Sequence, residues 1–165
     1  MGPEPSLNAA PARRNEGTRT QAILIREIEL ADAEAAAQLS AELGYPAEFS
    51  EMKQRIAVVN SSNDHVVYVA CIANTLIAWI HVNIVHHLSS GAHGEIAGFI
   101  VSAQHRNAGV GRKLITRAEQ WIADQGIPTV IVRSRTTREA AHRFYLREGY
   151  ILTKTSAVFS KQLKL

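Results

Sequence analysis

The chain has 165 residues, of which 46% are hydrophobic and 20% are charged, and its net charge is +3 at neutral pH. This length suits one buried core and is short for two, and the composition is that of an ordinary globular protein. The small net charge and the lack of a recognition motif or stacking platform argue against nucleic acid as a partner. A single cysteine, Cys71, excludes an internal disulfide, and no apolar run approaches the roughly 20 residues of a membrane span.

The first residues carry three prolines and no hydrophobic period. We therefore predict a disordered N-terminal tail over residues 1–21 and a single domain over residues 22–165. The tail lacks the apolar segment of a secretory signal, and one cysteine suits a reducing compartment, so we expect a cytoplasmic protein.

The N-terminal half of the domain predicts a strand, two helices and two strands, in that order. Their expected positions are Ile23–Glu29, residues 33–43, a helix that opens at Ser50, His65–Ile72 and Leu76–His86. Asp32 is placed to cap the first helix. The segment Ala73-Asn74-Thr75 between the last two strands is a hairpin signal.

The C-terminal half predicts strands and helices in alternation and then a pair of strands. The expected positions are Glu95–Ser102, Val110–Gln125, Thr129–Ser134, residues 138–148, Ile151–Thr153 and Ala157–Lys164. A strand, a helix and a strand with short connections form a parallel βαβ unit. The fold class is therefore α/β (α+β), with a mixed, mainly antiparallel sheet, a central βαβ unit and helices on both faces.

The connection between the Glu95–Ser102 strand and the following helix contains Arg106, Gly109 and Gly111. A helix N-terminus exposes unpaired N–H groups and carries partial positive charge, and glycines there allow a ligand to approach the backbone. This pattern predicts a site for a phosphate or pyrophosphate. Its spacing fits neither the P-loop nor the dinucleotide-binding fingerprint.

The spacing Arg106-x-x-Gly109-x-Gly111 after a β-strand resembles the Arg/Gln-x-x-Gly-x-Gly/Ala signature of the GNAT superfamily of N-acetyltransferases, in particular small single-domain bacterial members. The resemblance implies that this loop holds the pyrophosphate of acetyl-coenzyme A. It also implies that the preceding strand offers main-chain groups to the pantetheine arm and the thioester. The residues so implied are Phe99, Ile100, Val101, Arg106, Asn107, Ala108, Gly109, Val110, Gly111 and Arg112.

A second segment, Arg138 to Tyr150, is similar to the family's Asn-x-x-Ala-x-x-Phe-Tyr-x-x-x-Gly-Phe/Tyr pattern. It matches at Ala141, Phe144, Tyr145, Gly149 and Tyr150. Arg138 replaces the family's Asn, and its guanidinium is a candidate contact to a coenzyme phosphate. The resemblance implies that Tyr145 is the general acid that protonates the leaving thiolate, since a phenol with a pKa of about 10 holds its proton at neutral pH.

Glu95 is the candidate base for the attacking amine, directly or through water. His81, His93 and a water chain are the alternatives, because an unperturbed imidazole titrates near neutrality. The histidines at 81, 86, 87 and 93 lack Cys or carboxylate partners at ligand spacing, so no metal site is predicted.

The residues and the resemblance together predict an acetyl-CoA-dependent N-acetyltransferase that acts directly on a primary amine of a small molecule, aminoglycoside-like or of another kind. Two alternatives stay open: a protein or peptide amine as acceptor, and a coenzyme-A-binding module without turnover. The lone Cys71 lies on an earlier strand, which argues against an acetyl-cysteine intermediate. Family members commonly dimerise through their C-terminal strands, so the resemblance extends to a homodimer.

Overall fold

The computed structural model describes residues 22–164, so the predicted disordered tail lies outside the described residues. The strands are β1 Ile23–Glu27, β2 His65–Ile72, β3 Thr75–His87, β4 Gly91–Val101 and β5 Val130–Val132. The helices are α1 Ala33–Glu42, α2 Phe49–Asn60, α3 Val110–Asp124 and α4 Glu139–Arg147, with two short 3-10 turns at Leu30–Asp32 and Ala103–His105. Within the described residues no helix is both long enough and apolar enough to cross a membrane.

The five strands form one sheet in the order β1-β2-β3-β4-β5. The pairs β1–β2, β2–β3 and β3–β4 are antiparallel. The pair β4–β5 is parallel, and helix α3 connects its two strands. This confirms the predicted mixed sheet and its βαβ unit. The βαβ unit lies at one end of the sheet, because β5 pairs with β4 alone among the described strands.

Each face of the sheet has its own hydrophobic core. On one face α3 contributes an apolar stripe, in which Val110, Leu114, Ala118 and Ile122 are fully buried in a core with β2, β3 and β4. On the opposite face α1 and α2 cover β2 with a separate core that includes Ala33, Ala36, Met52 and Ile56. The helices therefore lie on both faces, as the alternation of strands and helices predicted.

The predicted final strand pair is wrong. Residues 151–164 contain no strand, and their apolar side chains are exposed, with Val158 at 87% and Phe159 at 93% of full exposure. The segment alternates as a strand does, but a strand needs a partner for its backbone groups, and the described part of the chain presents none to it. A local pattern alone did not determine the pairing.

Two local details also differ from the prediction. Asp32 does not cap α1 with its side chain; its carboxylate accepts two hydrogen bonds from Arg26, at 2.7 and 2.8 Å, and one from the Glu29 amide. Strand β4 begins at Gly91, four residues before the predicted start. Glu95 is therefore an interior residue of the strand and not its first.

Candidate active site

Strands β4 and β5 separate from each other in the middle of β4. Their pairing ends at Ile96 opposite Val132, whereas β4 continues to Val101. The Ser102 amide donates to the Ile77 carbonyl of β3 at 2.9 Å. Because main-chain groups alternate along a strand, those of Phe99 and Val101 face away from β3, into the opening. Those of Ile100 face β3, so Phe99 and Val101 are the two of the three predicted residues whose main chain borders this cleft.

The loop after β4 has the backbone of an anion-binding turn. Asn107 and Gly109 have positive φ, at 62° and 77°, and Gly109 is the N-cap of α3 without a side-chain cap. The first intrahelical bond runs from the Lys113 amide to the Gly109 carbonyl, at 3.2 Å. The three preceding amides, including that of Gly111, therefore have no helical acceptor. Arg106 Nε donates to the Val101 carbonyl at 3.2 Å, which ties the loop to the end of β4.

The two glycines of this motif have different structural roles. A Cβ on Gly109 would meet no described atom within 4 Å, so this glycine supplies the left-handed turn and leaves the space beside the loop open. A Cβ on Gly111 would lie 3.2 Å from the Phe144 ring and 3.3 Å from the Phe99 ring. Gly111 therefore allows α3 to pack closely on this aromatic pair, whose ring centroids are 5.7 Å apart.

Tyr145 belongs to an aromatic cluster on α4, on the α3 face of the sheet. Its ring lies 5.5 Å from that of Phe144 and 5.6 Å from that of Tyr150, and the Tyr150 hydroxyl donates to Glu119 Oε1 at 2.9 Å. Burial raises the pKa of Tyr145, although the nearby Arg138 opposes the shift. The phenol thus holds its proton at neutral pH, as a general acid must. Arg138 is exposed at the N-cap position of α4.

Glu95 lies on the opposite face of the sheet, where α1 and α2 pack. Its side chain is 19% exposed, and Oε2 contacts Arg133 Nη1 and lies 3.6 Å from His93 Nε2. The carboxylate is therefore held by a guanidinium at one oxygen and is not free in solvent. The prediction that Glu95 accepts a proton from the amine stays a prediction.

Strand β4 contains a β-bulge close to Glu95. His81 pairs with Gly98 and Val82 with Ile96, so Ala97 is the extra residue. The Trp79 ring lies over Gly98, where a Cβ would be 2.7 Å away. Because the bulge changes the alternation, Glu95 and Gly98 both face α1 and α2 although they are three residues apart.

His81 forms a pair with His65 on the neighbouring strand. His65 Nδ1 and His81 Nε2 are 3.0 Å apart. Burial, with a smaller contribution from the neighbouring His65, lowers the pKa of His81 to about 4. His81 is therefore neutral at pH 7 and is a weaker base than an ordinary histidine.

We expect acidification to destabilise the fold through His81. Between pH 6.5 and about 4 the unfolded chain binds a proton at this position and the folded chain does not, so stability falls as the pH is lowered through this window. The loss should be on the order of 1–3 kcal/mol. Urea denaturation at pH 7 and pH 4.5 measures it. His81→Gln should show a smaller loss than the wild type, whereas the exposed-site control His86→Gln should not; an equal loss in His81→Gln contradicts the assignment.

The structure brings together residues that the sequence analysis did not connect. Arg133 contacts Glu95, and Arg135 Nη2 donates to the Tyr45 hydroxyl at 3.3 Å. The bulge at Ala97 was also missed. Gly98 inside a strand pattern was the available signal, because an isolated strand glycine indicates a bulge or a close approach.

Comparison with solved structures shows similar folds at low sequence identity. The aminoglycoside 6'-N-acetyltransferase AAC(6')-IG from Acinetobacter haemolyticus is 19% identical with a TM-score of 0.75, over 86% of this chain and 99% of that one. AAC(6')-Iy, solved with the bisubstrate analogue CoA-S-monomethyl-acetylneamine, is 16% identical with a TM-score of 0.77, over 86% and 99%. A Trypanosoma brucei acetyltransferase is 22% identical with a TM-score of 0.72, over 85% and 100%. At these identities the likeness concerns the fold.

A search of curated proteins gave no match. The family model of the acetyltransferase (GNAT) family matches residues 27–150, which include every strand from β2 to β5, all four helices and the Gly109–Gly111 loop. This span is most of the chain. The protein therefore belongs to the acetyltransferase (GNAT) family.

Proposed function

We propose that this protein is an acetyl-CoA-dependent N-acetyltransferase that moves an acetyl group directly to a primary amine of a small molecule. The observation that carries the proposal is the opening of β4 from β5 beside both an uncapped helix N-terminus and a protonated tyrosine. An extended thioester with a pyrophosphate at its far end needs these three features. Family membership and the complexes of AAC(6')-Iy with coenzyme A and with a bisubstrate analogue support it.

We assign the acetyl-CoA contacts as follows. The main-chain groups of Phe99 and Val101 pair with the pantetheine arm, as an added strand would. The loop and first helical turn receive the pyrophosphate, and Arg138 reaches a phosphate oxygen from the start of α4. The loop residues are Arg106, Asn107, Ala108, Gly109, Val110, Gly111 and Arg112.

In this proposal the amine nitrogen attacks the thioester carbon, an N–C bond forms and the C–S bond breaks. The amine proton leaves to Glu95, with His81, His93 or a water chain as the alternative acceptors. Tyr145 gives its proton to the departing sulfur and recovers one from solvent. Cys71 takes no part as a nucleophile: it is buried on β2, and burial raises the pKa of its thiol.

Release of free thiol from acetyl-CoA tests the proposal. Small amines should give acetyl-dependent thiol release, with the acetylated amine identified by mass spectrometry. Release on peptides and proteins but on no small amine would favour the protein or peptide acetyltransferase. Binding of coenzyme A with no thiol release on any acceptor would favour the binding module and would contradict the proposed acetyltransferase activity.

We also propose that the protein is a homodimer in which residues 151–164 of each chain pair with β5 of the other. Strand β5 pairs with β4 on one side and, among the described strands, with none on the other, and its three residues are half-exposed. An open strand edge beside an exposed apolar segment is a combination that proteins cover. Residues 151–164 suit this role because their side chains alternate as those of a strand do and because the segment follows directly on α4.

Removal of residues 151–165 should convert the dimer to a monomer. The reason is that the deletion removes the proposed strand partner of β5 and its apolar contacts. Light scattering coupled to size exclusion gives the mass, and far-UV circular dichroism reports whether the shortened chain folds. In the full-length chain, Val158→Asp with Phe159→Asp should have the same effect. A monomeric wild type, or a double variant that stays dimeric, contradicts the proposed interface.

A further inference from the structure

The central strands of the sheet carry few acidic residues for a protein that takes an amine. Strands β2 to β5 contain one acidic residue, Glu95, against five histidines at positions 65, 81, 86, 87 and 93. That one carboxylate is already in contact with the Arg133 guanidinium. An acceptor with several ammonium groups therefore meets no further carboxylate on these strands.

Two arginines border the space beside Glu95. The chain leaves β5 with Arg133 and Arg135 exposed and the Ser134 hydroxyl buried between them. Arg133 is 57% exposed although one of its nitrogens contacts Glu95. Arg135 reaches the Tyr45 hydroxyl, on the connection between α1 and α2, and has no carboxylate within ion-pair distance in residues 22–164. Both guanidinium groups thus retain donors that face solvent.

Arg133 lies apart from the phosphate loop. It follows Val132, which pairs in parallel with Ile96, so it is level with the next residue of β4 and four residues before Val101. At about 3.3 Å per residue this is about 13 Å along the strand. Arg135 follows two residues later, and its hydrogen bond to Tyr45 holds it against the connection between α1 and α2. Both guanidinium groups thus lie on the side of Glu95 and not at the start of α3.

We propose that the acceptor is an amine that also carries an anionic group, a carboxylate or a phosphate, which Arg133 and Arg135 bind. This inference rests on the proposed acetyl transfer and names its substrate class. The ammonium lies against Glu95 and the anion against the two guanidinium groups, so each charge of the acceptor meets its opposite. Guanidinium groups suit both anions because their planar fork forms paired hydrogen bonds.

Matched acceptors that differ in the anion test the inference. The pairs are glycine with glycinamide, 4-aminobutanoate with butylamine, and phosphoethanolamine with ethanolamine, and neamine serves as the polycation. We measure kcat/KM by thiol release and the Kd of each compound for the coenzyme-A-bound protein by calorimetry. In at least one pair the anionic member should be preferred about tenfold or more, because a site built for a charged group leaves its donors unpaired with the analogue that lacks it.

Single arginine variants test whether Arg133 and Arg135 are the groups that bind the anion. Arg135→Gln and Arg133→Gln should each lower the preference for the anionic member and leave the KM for acetyl-CoA within about twofold, as expected for groups remote from the phosphate loop. Arg55→Gln is the matched control, since it removes an exposed arginine of an ion pair with Glu51 on α2. Arg55→Gln should change neither the preference for the anionic member nor the KM for acetyl-CoA.

The outcomes separate this inference from the proposed function. Preferred binding of the anionic members that depends on Arg135, without thiol release, supports the inference and removes the enzyme. Thiol release in which the anionic member is preferred in none of the three pairs, or in which neamine is the best acceptor, keeps the enzyme and overturns the inference. A higher KM for acetyl-CoA in Arg135→Gln, with the preference unchanged, overturns it as well. Binding of no acceptor with no release overturns both.

Discussion

Tyr145→Phe should lower kcat by about 100-fold or more, the usual contribution of a positioned general acid. The change removes one oxygen from a partly buried aromatic cluster and leaves the ring contacts with Phe144 and Tyr150 in place. The KM for acetyl-CoA should change little, because the proton is given up only when the C–S bond breaks. Because burial raises the pKa of Tyr145, the wild type should also keep its kcat on the alkaline side up to at least the ordinary tyrosine range near pH 10.

Tyr150→Phe is the matched control for this prediction. It removes a hydroxyl from the same cluster, and its cost is the hydrogen bond to Glu119, about 1 kcal/mol of stability. Steady-state kinetics at saturating acetyl-CoA compare the two variants, and thermal unfolding shows whether each is folded. If Tyr145→Phe turns over at the wild-type rate, the tyrosine is not the acid.

Gly94→Ala should destabilise the fold by about 1–3 kcal/mol, the typical cost of overpacking a core. A Cβ on Gly94 would lie 2.5 Å from Cδ1 of Ile122 and 2.7 Å from its two other branch carbons, and Ile122 is fully buried. The backbone of Gly94 is not free to move, because its amide donates to the Thr129 carbonyl at 2.9 Å where β4 meets β5. Urea denaturation at pH 7 measures the loss.

Ile122→Ala is the partner change, since it removes the three atoms that lie nearest to the new methyl group. Alone it should cost about 2–5 kcal/mol through the cavity it leaves. Combined with Gly94→Ala, the total should fall short of the sum by about 1 kcal/mol or more, because neighbours that share one space are not additive. Gly91→Ala, at a glycine with open space and positive φ, should be additive with Ile122→Ala. Additivity within about 0.5 kcal/mol for Gly94 would mean that the core relaxes around the methyl group.

The glycine motif shows which features of the loop a local residue pattern can predict and which it cannot. Its spacing predicted a helix N-terminus with free amides, and the uncapped start of α3 at Gly109 has that form. The pattern did not separate the two glycines. Gly109 is needed for its left-handed backbone, which is a local property, whereas Gly111 is needed because Phe99 and Phe144 approach it from other elements.

The sequence by itself determined the order of the elements up to α4 and the position of the glycine loop at the start of α3. These depend on hydrophobic periods and turn residues, which act over a few neighbours. Only the tertiary structure decided that Arg133 holds Glu95, that Ala97 is a bulge and that residues 151–164 have no strand partner within residues 22–164. Such features depend on contacts between residues far apart in the chain, because a strand or an ion pair forms only where the fold supplies the other half.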